Sequence, residues 1–150
     1  MKHIPFALAL FAAFPAPLAA DQQNIIAERV WSRASMGENR PGVAYMVLHN
    51  TGSGTRTLTG VETGRAAMAQ IHQTSTSASG VSQMAPAGDI DILPGTRIAL
   101  EPGGLHIMLM QLDRPLAEGE YYHLTLIFKN GDNVEIRVPV LAASARGPGQ

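Results

Sequence analysis

Short runs rich in Val, Ile, Leu, Thr and Tyr alternate with clusters of Gly, Pro, Asn and Asp along this chain, and no stretch repeats apolar residues at helical spacing. That punctuation fits an all-β sandwich or barrel. Strands are predicted over Ile25 to Arg33, Val43 to His49, Thr55 to Val61, Ala66 to Thr74 and Val81 to Met84, and then over Arg97 to Leu100, Leu105 to Gln111, Tyr121 to Phe128 and Asn133 to Val140. The turns between them include Asn50 to Gly54, Pro94-Gly95, Pro102-Gly103-Gly104, Asp113-Arg114-Pro115 and Asn130-Gly131-Asp132. The last of these reads as a type I′ hairpin. There, Leu124, Leu126 and Phe128 alternate along one strand and Val134, Ile136 and Val138 along the next, so both sets can cover one core.

The N-terminal segment decides the compartment. Lys2 and His3 precede the apolar run Ile4 to Phe14, and small residues follow up to Ala20 before Asp21-Gln22-Gln23. This is the pattern of a secretory signal peptide over residues 1–20, with cleavage after Ala20 or after Ala19, and it predicts a periplasmic protein. The run is shorter than the roughly 20 residues that cross a bilayer, so no membrane insertion of the mature chain is expected. One domain is expected over residues 21–142, followed by a small, polar, disordered tail over 143–150. The net charge of -1 gives no electrostatic footprint for nucleic acid.

The chain has no cysteine, so neither a disulfide nor a thiolate is available to it, but it has seven methionines. In Leu105 to Gln111 a period of two sends Leu105, Ile107 and Leu109 to one side and His106, Met108 and Met110 to the other. Residues on one side recur about every 6.6 Å, so His106 and Met108 can lean onto one ion. Thioether and imidazole donors select Cu(I) over hard cations. Unlike a thiol, a thioether needs no deprotonation to bind and cannot be lost to disulfide formation. His72, near the end of one predicted strand, and Met84, just before Pro86, are candidates for the remaining two ligands.

The spacing resembles the signature of the PCu(A)C family of periplasmic copper chaperones: His72, eleven residues, Met84, twenty-one residues, then His106-Ile107-Met108. The flanks are similar too, in Gly42-Val43-Ala44-Tyr45-Met46, in Leu100 to Leu109 with its Pro102-Gly103-Gly104 turn, in Pro115 to Gly119 and in Leu124-Thr125-Leu126. The likeness runs from about Ile25 to Val140. It implies a cupredoxin-like Greek-key β-sandwich or barrel and one Cu(I) per chain held by His72, Met84, His106 and Met108. It also implies transfer of that copper to an acceptor such as a cytochrome c oxidase subunit or another copper chaperone. Gln73 stands where many members carry Met directly after the first His. Ala143 to Gln150 lacks the His and Met of some relatives' tails, which leaves one expected site.

The other candidates have ordinary readings. Met110 is expected to pack or to wall the site, while Met36, Met46 and Met68 are assigned to packing or loop surface. His49 and His123 are expected to be solvated or hydrogen-bonded, Trp31 to anchor the core, and Asp89 and Asp91 to form a solvated face. No nucleophile elbow, phosphate loop or zincin helix occurs, so catalysis is not expected. A blue-copper centre requires a cysteine thiolate. Two other functions fit the same sequence: periplasmic copper buffering for resistance, and a metal-free immunoglobulin-like interaction module.

Overall fold

The computed structural model describes residues 24–37 and 39–149. The proposed signal peptide lies outside the described residues. Ten strands and no helix are present among them: β1 (Ile25–Arg33), β2 (Gly42–Asn50), β3 (Arg56–Glu62), β4 (Ala66–Thr76), β5 (Ser82–Pro86), β6 (Ile90–Ile92), β7 (Arg97–Leu100), β8 (Leu105–Leu112), β9 (Tyr121–Phe128) and β10 (Asn133–Leu141). Nine coincide with the predicted runs to within two residues. The tenth, β6, is the exception. Its alternation in Asp89-Ile90-Asp91-Ile92 is too short to read as a strand, but β3 supplies a partner ladder from Arg56↔Ile92 to Leu58↔Ile90.

The strands form one open ladder in the order β5-β4-β8-β7-β2-β1-β10-β9-β3-β6, with β8 also reaching β2. It turns back on itself at β1. The early part of β1 pairs only with β2, and its register shifts between Glu28 and Trp31, where Arg29 takes φ 51°. Beyond this bulge Ser32 and Arg33 also pair in parallel with Val140 and Leu141 of β10. The two halves thereby face each other across a single core. Leu48, Leu100, Ile107 and Leu109 come from one half, and Leu58, Leu124, Leu126, Phe128 and Val138 from the other.

The β9–β10 hairpin keeps the expected register, with Val134 opposite Leu126 and Ile136 opposite Leu124, all of them buried. Its turn is not type I′. That turn needs positive φ at both central residues, and only Gly131 has it, at 84°. Instead the Gly131 amide donates to the Phe128 carbonyl, and Gly131 absorbs the left-handed step of a longer loop.

Trp31 is buried as expected, on the side of β1 away from the main apolar cluster. The bulge sets it against Tyr45, with ring centroids 4.6 Å apart, and the Arg33 guanidinium lies over both rings. Both aromatic residues fall outside the main apolar cluster, while Ser32, the next residue of β1, is fully buried opposite Ala44. The chain after β10 lies against β1, where Arg33 Nε donates to the Ala145 carbonyl at 2.8 Å.

Candidate metal centre

β8 carries the central residues of the site because its two faces have different tasks. Ile107 and Leu109 point inward and are fully buried, which commits His106, Met108 and Met110 to the outer face. β4 runs antiparallel beside it with Ile71 and Ala69 packed inward. Facing residues on paired strands share a side, so three rungs stand on the outer face: His72 opposite His106, Gln70 opposite Met108, and Met68 opposite Met110.

Two imidazoles 34 positions apart in the sequence therefore meet directly. Their ring centroids are 6.1 Å apart and the planes cross at 77°. β5 brings the fourth predicted residue to the same face, since Met84 pairs with Thr74 and Pro86 pairs with His72. Met84 is thus a diagonal neighbour of His72, at the about 7–8 Å typical of such pairs. From β8 it is two strand spacings away, roughly 9–10 Å of backbone separation that the long side chains must close. The four predicted residues lie on one face of three adjacent strands.

Their surroundings differ in a way that matters chemically. His106 is buried, and its Nδ1 lies 3.0 Å from the Gly104 carbonyl. When Nδ1–H donates there, the lone pair of Nε2 is left free to bind a metal. The Pro102-Gly103-Gly104 turn fixes that carbonyl: the Gly104 amide donates to the Glu101 carbonyl, the Thr74 amide donates to the Gly104 carbonyl, and Gly103 takes φ 85°. The glycines thus serve the ligand strand as well as the turn.

On the His72 ring, Nε2 makes a long contact of 3.4 Å with Gln70 Oε1, and Nδ1 is buried with no hydrogen-bond partner among the described residues. A buried polar nitrogen without a partner is costly unless something binds it, and a metal ion is one such partner. Neither ring forms an ion pair among the described residues. Among the described residues no group of three or more His, Cys, Asp or Glu side chains converges there, and the other soft donors on this face are the methionine sulfurs.

Met84 is 60% exposed on β5, one of the two edge strands, and every residue of β5 is exposed. Met108 is partly covered. Gln73 points away from the two imidazoles, and its amide donates to the Thr74 carbonyl. The other two histidines among the described residues lie elsewhere, His49 beside Glu28 and His123 beside Glu135. Sequence reasoning passed over Gln70, although its place two residues before His72 is the signal for a residue on the same face.

The family described as "Putative lipoprotein LpqE-like" matches residues 25–140. A protein of Leifsonia xyli subsp. xyli (strain CTCB07), itself named as a putative lipoprotein, is 36% identical over 97 residues. That match takes in 65% of this chain and 58% of the relative, so the chain spans little more than half of the relative's length. Among solved structures, the apo PCuAC domain from PmoF1 superposes with a TM-score of 0.68 at 24% identity, over 82% of this chain and 98% of that one. The copper-bound PCuAC domain from PmoF2 does so with 0.65 at 25%, over 79% and 93%. The Cu(I) form of DR1885 from Deinococcus radiodurans gives 0.56 at 28%, over 81% and 83%. The fold is the cupredoxin-like, all-β fold of PCuAC domains.

Proposed function

Starting from the fact that the chain belongs to the LpqE-like family, we propose that it is an exported Cu(I) carrier. It holds one ion through His72, Met84, His106 and Met108 and passes it to another protein. The observation that carries this reading is the β4–β8 register, which sets His72 against His106 and Met108 one rung away, with His72 Nδ1 buried and unpaired. Similarity to the copper-bound PmoF2 domain and to Cu(I)-DR1885 supports copper as the ion. Relationship to proteins described as lipoproteins supports export. These 150 residues contain no cysteine, so a lipid carried on a cysteine sulfur has no attachment point among them.

The arrangement favours hand-over above storage. The imidazole of His106 is buried and held by Gly104, whereas Met84 is open to solvent on an edge strand. A thiolate arriving from an acceptor meets Met84 first. It can replace that neutral thioether with a softer, anionic ligand before His72, Met108 and His106 let go. A copper-accepting domain with cysteine ligands, such as that of a cytochrome c oxidase subunit, is the partner this chemistry fits, and a second copper chaperone is the other.

Two measurements test the proposal. Changing Met108 to Ile should reduce Cu(I) retention against a soluble chelator by at least about tenfold, with the fold intact. Unchanged retention removes Met108 from the site. The Cu(I) form mixed with a reduced, cysteine-containing oxidase domain should give up its copper, whereas copper that stays with this chain indicates storage.

A further inference from the structure

We propose that Met68 and Met110 form a second, weaker soft-metal site, a two-thioether landing position from which the ion steps along β8 to Met108. The inference rests on the Cu(I) reading above for its cargo, but on different residues. Met68 and Met110 are paired across β4 and β8, on the outer face and two positions from the Gln70–Met108 rung.

Packing does not account for the pair. Met68 is 48% exposed, and neither methionine belongs to the apolar core or to the partly buried residues packed against it. Directly opposed side chains have Cβ atoms about 4.5–5.5 Å apart. Two sulfurs on one soft ion stand at most roughly 4.6 Å apart if each metal–sulfur bond is near 2.3 Å, the length known for zinc–thiolate bonds. Methionine, with three rotatable bonds, meets that separation without backbone movement.

With two thioethers and no imidazole in the pair, it should bind more weakly than the four-ligand site and release its ion readily. Met110 and Met108 lie about 6.6 Å apart along the strand. An ion can therefore exchange a Met110 sulfur for that of Met108 without returning to water. The exchange breaks one metal–sulfur bond as it forms another and changes no oxidation state.

Silver(I) tests this as a redox-inert soft ion, added in chloride-free buffer to the purified protein labelled on its methionine methyl groups. The first equivalent should move the Met84 and Met108 methyl signals. Beyond one equivalent, those of Met68 and Met110 should move together. Met68→Leu should abolish the Met110 shift, and Met110→Leu the Met68 shift, while the first equivalent binds with affinity unchanged within about twofold. Each replacement nearly conserves volume, and an unmoved signal from buried Met46 reports an intact core. The proposal is overturned if neither signal moves by about three equivalents, or if one persists unaltered after its partner is replaced. If Met68 and Met110 respond while Met84 and Met108 never do, the landing pair stands and the four-ligand reading fails.

Discussion

Each imidazole at the centre of the site depends on one neighbour. The Gly104 carbonyl holds His106 through Nδ1, and among the described residues Gln70 Oε1 is the one side-chain hydrogen-bond partner of His72. Groups that orient a metal-binding imidazole typically matter by about 10–100-fold in affinity. Gln70→Leu should therefore weaken Cu(I) binding by about tenfold in a chelator competition while leaving the melting temperature nearly unchanged. An affinity equal to that of the parent protein would show that the 3.4 Å contact has no part in the site. The common outer face of His106 and Met108 on β8 was legible from period two alone, because alternation separates a soft face from an aliphatic one. That His72 and Met84 would share this face was suggested by the spacing that resembles PCu(A)C proteins, because no local pattern reveals which distant strands will be neighbours.

At the scale of elements, the Pro102-Gly103-Gly104 turn links backbone conformation to ligand geometry. Gly103 at φ 85° occupies a region that costs a residue with a Cβ about 1–2 kcal/mol. Gly103→Ala should lower stability by about that amount in urea unfolding and should also weaken copper binding, since a shifted turn moves the Gly104 carbonyl. Loss of stability with copper affinity unchanged would uncouple the turn from the site. Turns and bulges are also where sequence and structure part. Asn130-Gly131 reads as a two-residue hairpin, but the strands it joins end one residue further apart, so only the glycine goes left-handed. Trp31 is buried as its sequence suggests, but the bulge at Arg29 changes the strand's phase and sets it against Tyr45 outside the main cluster, and no single-strand pattern announces a bulge. β6 is three residues long and stands only because β3 lies beside it.

For the molecule as a whole, one core between two folded-over halves underlies the outer face, with no disulfide to assist. Leu126 is fully buried at the centre of β9. Leu126→Ala should cost about 2–5 kcal/mol in urea unfolding, through lost transfer energy and a cavity. A cost below about 1 kcal/mol would mean that the core collapses around the gap. Burial also pushes the Tyr122 phenol up to about 12. In the unfolded chain it ionises near 10, so the protonated phenol supports the fold fully below pH 10, and that support is lost as the pH rises toward 12. Thermal melts should fall across that window, and Tyr122→Phe should flatten the fall. A parallel decline in both proteins would place the alkaline sensitivity elsewhere.

The central claim concerns four side chains and one ion. X-ray absorption at the copper edge, on protein loaded with one equivalent of Cu(I), reads that set directly. Two sulfur and two nitrogen scatterers at about 2.0–2.3 Å are predicted, with one sulfur lost in Met84→Leu and one nitrogen in His72→Ala. A first shell of nitrogen and oxygen alone, or one that neither substitution alters, would contradict it.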